Sequence, residues 1–323
     1  MKPEIMKPLG GVLTALALVS CTAQDDQSGQ QVLPEAVEVF QGDLQGVMLN
    51  AGDKAPMVLM IPGSGPTDRD GNGPNGLNTN AYKLLAEGLQ AQGISTVRVD
   101  KRGIFSSAKA GDPNAVTVDL YAADYRGWID KLTETGGKDC IFILGHSEGG
   151  LMASAAAIGR DDVCGLILVA APGRMLQDVL EEQFRANPAN APLLDDALLA
   201  IDTLSKGEPV DTTGFHPALK GVFHEKVQGF LMSMMGKDPV ELLRSANVRA
   251  LVVQGGQDLQ VSEEDANRLA TVESAELFLL PDMNHVLKNT SANKADNLAT
   301  YRNPDLPLSD GLVEAVSRFI SGR

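Results

Sequence analysis

Short apolar runs alternate with segments of helical periodicity along most of this chain, and that alternation constrains its fold more than any other feature. Met57–Ile61 is apolar throughout and ends at Pro62-Gly63, a pattern typical of a strand buried on both faces. Comparable strand-like runs occur at Ile94–Val99, Cys140–Leu144, Gly165–Ala170, Ala250–Val253 and Glu276–Leu280. The helical segments are Ala81–Gln92, Val118–Thr135, Ser147–Ile158, Ser262–Ala270 and Gly311–Ile320. Repeated βα units predict an α/β protein with a doubly wound, mostly parallel sheet and helices on both faces.

The alternation is interrupted between residues 171 and 248. Helical runs there cover Met175–Ala186, Leu193–Leu204 and Val227–Met235, and the sequence shows no convincing buried strand. The stretch is too long for an ordinary loop, so we interpret residues 171–248 as a helical cap inserted into the sheet. The α/β core then consists of residues 36–170 and 249–323, and it begins with a hairpin formed by Ala36–Phe40 and Leu44–Leu49.

The amino-terminal segment has the pattern of an export signal. Lys2 and Lys7 precede the apolar run Leu9–Val19. As a helix, that run would span about 16 Å, roughly half the hydrocarbon core of a bilayer, so we interpret it as the apolar region of a signal peptide and not as a membrane span. It ends in Leu18-Val19-Ser20-Cys21, which resembles the signal of bacterial lipoproteins, in which the cysteine is lipidated.

That resemblance divides the first 35 residues into two parts. We expect a signal peptide over residues 1–20, and a lipidated Cys21 that begins a polar, flexible tether over residues 21–35. The protein would then be exported and held at a membrane by its lipid anchor, facing the periplasm or the cell surface. The alternative is a plain secretory signal that is cleaved near Cys21.

The charge of the chain excludes one class of partner. It has 27 Lys and Arg residues against 42 Asp and Glu residues, which gives a net charge of −15. Because nucleic-acid binding depends on clustered cations, we expect no nucleic-acid partner. The same excess of acidic residues disfavours electrostatic attachment to an anionic membrane, so the lipid anchor is the expected membrane contact.

The motif Gly145-His146-Ser147-Glu148-Gly149 stands between a predicted strand and a predicted helix. G-x-S-x-G occurs by chance in many chains, but at a strand-to-helix turn it is the nucleophile elbow. The flanking glycines let strand and helix approach closely, and the strained turn raises the serine hydroxyl above the sheet. We therefore predict Ser147 as a nucleophile.

A nucleophilic serine requires a base that is oriented by a carboxylate. His285 follows the last predicted strand, and Asp258 follows Ala250–Val253, so both are expected at the carboxyl edge of the sheet. The chain order Ser147, Asp258, His285 is the order of an α/β-hydrolase triad. Asp282, in the same loop as His285, is an alternative acid that we interpret as a turn residue.

The segment Pro62-Gly63-Ser64-Gly65-Pro66 follows the first buried strand. An acyl-transfer site needs two backbone N–H groups that bind the developing oxyanion. We predict that Ser64 supplies one of them and that Glu148, directly after the nucleophile, supplies the other.

Together these features resemble the α/β-hydrolase superfamily, in particular its serine aminopeptidase and lysophospholipase-like branch. The stretch Arg98-Val99-Asp100-Lys101-Arg102-Gly103 is similar to the R-x-D-x-R-G of that branch. The resemblance covers residues 36–323 apart from the insertion. It implies a serine esterase that cleaves small-molecule carboxylic esters through an acyl-enzyme, with no metal and no cofactor. Many members have His-Gly where this chain has Pro62-Gly63, so the oxyanion loop is anchored differently here.

Other functions remain open at this point. A peptidase or a thioesterase would use the same triad, and a non-catalytic binding protein would usually have lost one of its members. Gly71–Gly76 matches the G-x-G-x-x-G of dinucleotide sites, but nine residues separate it from the preceding strand. Asp68–Gly73 imitates a calcium loop, yet Thr79 stands where the bidentate Glu is needed. We interpret Asp68 and Arg69 instead as residues that hold the oxyanion loop by local hydrogen bonds.

Two further predictions concern the insertion and the cysteines. The insertion begins after the predicted strand Gly165–Ala170, at the carboxyl edge of the sheet, so we expect the cap to cover Ser147. Its apolar run Phe230–Met235 leads us to expect that it binds the acyl group of the substrate. The residues assigned to that binding are Met232, Met234 and Met235. Plain packing of the insertion onto the core is the alternative.

Cys140 and Cys164 lie at the starts of consecutive strands, about 4.8 Å apart if the strands are neighbours. We predict a disulfide between them, with two buried free thiols as the alternative.

Overall fold

A computed structural model of the protein describes residues 36–135 and 137–322. The signal peptide predicted over residues 1–20, the lipidated Cys21 and the tether to residue 35 lie outside the described residues. Within the described part, no helix combines the length and the apolar character that crossing a membrane requires.

Eight strands form one sheet. They are β1 Val37–Gln41, β2 Leu44–Leu49, β3 Met57–Ile61, β4 Ser95–Val99, β5 Ile141–His146, β6 Val163–Val169, β7 Ala250–Gly255 and β8 Ala275–Leu280. Their order across the sheet is β1-β2-β4-β3-β5-β6-β7-β8. The β1–β2 and β2–β4 pairs are antiparallel and all the others are parallel, which confirms the predicted hairpin and the mostly parallel sheet.

The described residues include helices on both faces of the sheet. The core helices are α1 Ala81–Ala91, α2 Val118–Asp130, α3 Glu148–Ala157, α9 Glu263–Leu269, α10 Lys294–Thr300 and α11 Leu312–Ser321. Those of the insertion are α4 Leu176–Ala186, α5 Leu194–Ser205, α6 Pro217–Val222, α7 Glu225–Met235 and α8 Pro239–Ala246. The pattern missed α6, α8 and α10, since at six to eight residues they are too short to show a clear apolar period.

Both faces of the central strands are buried, as their unbroken apolar sequence predicts. In β3, Leu59 packs into the core cluster that includes residues of α2 and α3. Its neighbours Val58 and Met60 pack into the opposite cluster, which includes residues of α1 and α11. Because successive side chains of a strand point to opposite faces, a strand between two helical layers must be apolar at every position.

The insertion has an apolar core of its own, in which Phe223 and Met235 are almost fully buried. It also packs against the sheet domain through α7 and α8. The Phe230 ring meets the Tyr121 ring edge-on at 5.9 Å between centroids, and the Val118 N–H donates a 2.8 Å hydrogen bond to Ser233 Oγ. Leu243 of α8 belongs to the main core beside α3.

Cys140 and Cys164 form a disulfide in the structure, with their Cα atoms 5.3 Å apart. Cys140 directly precedes β5, and Cys164 is the second residue of β6, the parallel neighbour of β5. The bond therefore lies at the amino ends of the strands. It joins the starts of two central strands, while the predicted catalytic residues follow the opposite ends.

Candidate active site

Ser147 occupies the sharp turn between β5 and α3. Its φ of 54° and ψ of −128° place a non-glycine residue in a sparsely populated backbone region. The turn is fixed from both sides, because the Ser147 N–H donates to Val169 O at 2.9 Å and the Ser147 carbonyl accepts from the Gly150 N–H at 2.9 Å. Strain of this kind is held at functional sites by the structure around it, and here it is held by β6 and by the first turn of α3.

The two glycines of the motif are required by close packing. A Cβ on Gly145 would lie 2.2 Å from the Gly149 carbonyl oxygen, and a Cβ on Gly149 would lie 2.6 Å from the carbonyl oxygens of Ile61 and Pro62. No side chain fits either position without moving backbone. The elbow glycines therefore bring β5, α3 and the end of β3 into contact around Ser147.

The structure pairs His285 with Asp258. His285 Nδ1 lies 2.8 Å from Asp258 Oδ2, and both side chains are largely buried. The other carboxylate oxygen, Oδ1, accepts from the N–H groups of Gln260 and Val261 at 2.7 and 3.0 Å. Burial alone would raise the pKa of Asp258, but the hydrogen bonds from His285 and from these backbone groups hold it below its ordinary value. Asp282 is exposed at the surface, so the geometry favours Asp258 as the acid.

Ser147 and His285 line the same cavity, which has a volume of about 270 Å³. Most of its lining comes from the segment that follows β3 and from the segments that follow β7 and β8. The lining residues are Gly63, Ser64, Thr67, Gly71, Leu77, Thr79, Ala81, Tyr82, His146, Ser147, Gln260, His285, Val286, Leu287 and Tyr301. In the described part of the chain, no residue of 171–248 contributes to it.

The assignment of Met232, Met234 and Met235 to substrate binding is therefore wrong for this cavity. Met235 is 1% exposed within the apolar core of the insertion, and the half-buried Met232 packs against that core. Met234 is buried in the main core. All three serve packing, because the helix that carries them lies against α2 of the core and against α4 and α5 of the insertion, and none of its residues lines the cavity.

The oxyanion loop lies directly against the elbow. A Cβ on Gly63 would be 3.1 Å from Ser147 Cβ and 3.2 Å from His146 Nδ1. Within residues 36–135 and 137–322, the Ser64 N–H donates no hydrogen bond, and the Glu148 N–H, the first of α3, has no intrahelical acceptor. Neither of the two N–H groups that the sequence predicts as oxyanion donors is therefore bonded within the described residues, and Ser64 lines the same cavity as Ser147.

Local hydrogen bonds hold the rest of this loop, as predicted. Asp68 Oδ1 accepts from the N–H groups of Asp70 and Asn72 at 2.9 and 2.8 Å, and the Arg69 N–H donates to Asp100 Oδ1 at 2.8 Å. Asp70 in turn lies 3.0 Å from the buried Arg98 guanidinium. Of the two carboxylates in the segment that resembles a calcium loop, Asp68 thus closes the loop on itself and Asp70 joins it to β4.

Sequence reasoning missed a buried chain of polar groups around the elbow. Tyr82 Oη lies 2.7 Å from His146 Nδ1 and accepts from the Gly63 N–H at 3.1 Å. His146 Nε2 lies 2.8 Å from the His285 carbonyl oxygen. That carbonyl can only accept, so His146 carries its proton on Nε2 and Nδ1 accepts from the tyrosine hydroxyl. Burial, together with the nearby His285, lowers the pKa of His146 to about 3, which keeps the ring neutral.

These hydrogen-bonded polar groups connect the oxyanion loop, the elbow and the loop of His285. The signal for it in the sequence was the histidine inside the elbow motif, but its partners are 64 and 139 residues away. A second missed residue, Lys101, lies just after β4 and donates to the Gly63 carbonyl at 2.7 Å. Its position after a buried strand, at the carboxyl edge of the sheet, was the available signal.

Comparison with known proteins adds a family and a fold. Residues 76–290, well over half of the chain, match the family serine aminopeptidase, S33. Over 241 residues the chain is 27% identical to esterase EstD of Thermotoga maritima, a match that covers 72% of this chain and 54% of that protein. The chain thus spans about half the length of this curated relative.

Two solved structures illustrate the similarity of fold. Est1E of Butyrivibrio proteoclasticus, with ferulic acid bound, superposes with a TM-score of 0.54 at 16% identity, covering 89% of this chain and 97% of that one. A malate-bound thermophilic esterase of Thermogutta terrifontis gives a TM-score of 0.54 at 18% identity, covering 90% and 99%. At these identities the likeness concerns the fold, and it confirms the predicted α/β-hydrolase architecture.

Proposed function

Because the chain belongs to the serine aminopeptidase S33 family, we propose that it is a serine hydrolase that cleaves small-molecule carboxylic esters. The observation that carries this proposal is the pairing of His285 Nδ1 with the buried Asp258 carboxylate at 2.8 Å, at a cavity that Ser147 also lines. A serine at a strained elbow beside an oriented imidazole is the arrangement that acyl transfer requires.

In the proposed reaction, Ser147 Oγ attacks the carbonyl carbon of the ester and His285 Nε2 accepts the serine proton. Asp258 keeps the proton of His285 on Nδ1 and stabilises the imidazolium that forms. The N–H groups of Ser64 and Glu148 bind the oxyanion. The imidazolium then protonates the leaving alcohol, which leaves an acyl-enzyme on Ser147. A water molecule, activated by the same histidine, releases the acid and restores the serine.

The composition of the cavity favours esters over peptides. Among the residues that line it in the described chain there is no Asp or Glu. An aminopeptidase must bind the ammonium group of its substrate, and a buried ammonium requires a charged or strongly polar partner. The lining instead combines the apolar side chains of Leu77 and Val286 with uncharged polar groups such as that of Tyr301. The similarity to esterase EstD supports the same choice.

The size of the cavity favours short acyl groups. Its volume of about 270 Å³ lies below the ~300–1,000 Å³ of sites for drug-sized ligands. Each additional acyl CH₂ adds about 0.8 kcal/mol of binding only while it is removed from water. We therefore propose that preference rises over the first few carbons and then falls once the cavity is full.

A series of nitrophenyl esters from acetate to laurate tests this proposal, alongside a butyryl thioester and amino-acid nitroanilides. We expect the highest kcat/KM on a short-chain ester, slower release from the nitroanilides, and no turnover by Ser147→Ala on any substrate. Efficient release of amino-terminal residues would establish the peptidase alternative, and a preference for the thioester would establish a thioesterase. Ester hydrolysis that survives Ser147→Ala would contradict the proposed nucleophile.

We also propose that the protein is an exported lipoprotein anchored through Cys21. The sequence supports this, since a short apolar run after two lysines ends at that cysteine. Cells fed an alkyne fatty acid should label the wild-type protein and not Cys21→Ser. Equal labelling of both would contradict the anchor, and secretion of an unlabelled mature protein would favour the plain signal peptide.

A further inference from the structure

Lys101 is a buried cation beside the oxyanion loop. It follows β4 by two residues and is 5% exposed. Its Nζ donates a 2.7 Å hydrogen bond to the Gly63 carbonyl oxygen and lies 3.8 Å from Glu148 Oε1. The ring centroid of Tyr121 is 6.0 Å away. Burial lowers the pKa of Lys101 and raises that of Glu148, and the attraction between the two opposes both shifts.

The hydrogen bond from Lys101 reaches the peptide group that carries a proposed oxyanion donor. The Gly63 carbonyl and the Ser64 N–H belong to one planar amide. A cation that bonds to an amide oxygen withdraws electron density from that amide and strengthens its N–H as a donor, the cooperative effect seen in chains of hydrogen bonds. The effect is larger where water is excluded, as it is around the buried Lys101.

The same loop is also fixed from its other side. The Gly63 N–H donates to Tyr82 Oη, which is itself bonded to His146. The residue before Ser64 therefore has both of its backbone polar groups engaged by buried side chains. These two hydrogen bonds anchor the oxyanion loop in this protein, which has Pro62-Gly63 where many family members have His-Gly.

The ion pair further connects the two proposed oxyanion donors. Glu148, which holds the Lys101 ammonium, is the residue whose own N–H faces the nucleophile at the start of α3. A single pair of side chains thus ties the loop after β3 to the elbow after β5. Displacement of either donor relative to the other would stretch a contact inside a desolvated region.

Building on the proposed esterase function, we propose that Lys101 is a positioning residue that fixes and polarises the Gly63–Ser64 peptide for oxyanion binding. The alternative role for the same contacts is neutralisation of the buried Glu148 carboxylate alone. The two roles differ in what happens when both charges are removed together, because neutralisation is then no longer needed.

The test is the double variant Lys101→Met, Glu148→Met, which leaves no unpaired charge and keeps similar side-chain volumes. Replacing a buried ion pair by apolar residues is often neutral for stability, so we expect it to fold. We expect kcat on the best ester to fall about 10- to 100-fold, less than the ~10²–10³ that loss of a whole oxyanion donor costs. KM should stay within about twofold, and the affinity for a trifluoromethyl ketone, which mimics the oxyanion intermediate, should fall by the same factor as kcat.

Two other variants accompany it. Lys101→Gln keeps an N–H donor without the charge, and its kcat should lie between those of the wild type and the double variant; it also decides the matter if the double variant does not fold. Lys138→Met is the matched control, because Lys138 Nζ also donates to a backbone carbonyl, that of Ala55 at 2.8 Å, outside the active-site cavity. It should leave kcat unchanged.

Wild-type kcat in the folded double variant, or in Lys101→Gln if the double variant does not fold, would overturn the positioning role and leave the esterase proposal intact. So would a rise in KM at constant kcat, since that would mark a contact to the substrate in its ground state. A wild-type protein that hydrolyses none of the esters would overturn the proposed function itself, and this inference with it.

Discussion

The carboxyl edge of the sheet and the helical insertion differ in how they are stabilised. At the edge, buried polar groups are joined in chains, such as Gly63 to Lys101 and Tyr82 to His146. The insertion is held by apolar packing around residues such as Phe223 and Met235. Polar networks specify positions, whereas apolar cores tolerate repacking. From this difference we infer that chemistry and substrate choice belong to the edge, and that the insertion contributes stability.

The largest effect should come from the acid at the edge. Asp258→Asn should lower kcat about 10⁴-fold, because an amide favours the wrong tautomer of His285. Asp282→Asn, an isosteric change on an exposed residue three positions from the same histidine, is the matched control and should retain activity. Steady-state kinetics on one short-chain ester measures both variants. If their effects were exchanged, Asp282 would be the acid.

Asp265 joins the two regions, and its ionisation makes the stability of their junction depend on pH. Its carboxylate in α9 accepts from the N–H groups of Gly173 and Arg174, where the insertion begins, and from the Arg174 guanidinium. Burial alone would raise the pKa of Asp265, but the hydrogen bonds from Arg174 and Ser262 hold it below its ordinary value. Because the folded pKa is the lower one, this contribution to stability is complete above about pH 4 and is lost as the pH falls through the folded pKa.

Asp265→Asn should therefore lower the free energy of unfolding by about 3 kcal/mol at pH 7, since it breaks a buried pair. The difference from the wild type should shrink as the pH falls below about 4. Urea unfolding at a series of pH values measures it. A difference that stays constant across this range would show that the carboxylate charge contributes nothing at the junction.

The smallest effect is expected on acyl-length preference. Two apolar substitutions, one in the cavity and one in the insertion, show which of the two regions sets that preference. Leu77→Phe narrows the cavity and should lower kcat/KM for the longer esters about tenfold relative to acetate, equivalent to losing burial of one or two CH₂ groups. Met232→Ala removes an apolar side chain from the insertion and should cost stability while leaving the acyl-length profile unchanged. If the acyl-length profile shifted in Met232→Ala and not in Leu77→Phe, the insertion and not the cavity would determine substrate choice.

What could be predicted from the sequence was set by short-range patterns. The unbroken apolar run of β3 and the glycines of the elbow depend on neighbouring residues, so strand and turn were located correctly. Asp258 and His285 follow strands whose carboxyl ends meet at one edge of a parallel sheet. Their approach therefore followed from topology, before any distance was known.

The errors and omissions have a different cause. Met232 and Met235 lie on an apolar helix face, and such a face has the same sequence pattern whether it meets a cavity or a core. The hydrogen-bonded groups Tyr82 and His146 are 64 positions apart in the sequence, and no local sequence pattern indicates that they are in contact. Lys101 follows a buried strand, but its burial was not predicted, because lysine is almost always exposed unless it is paired.

Intact-mass analysis after reaction with a fluorophosphonate tests the central claim most directly, since this reagent reacts far faster with an activated serine than with other side chains. We predict one adduct per wild-type chain, located by proteolysis on Ser147, and none on Ser147→Ala under the same conditions. Asp258→Asn should react far more slowly at the same serine. Equal labelling of Ser147→Ala, or an adduct located elsewhere in the wild-type protein, would contradict Ser147 as the nucleophile.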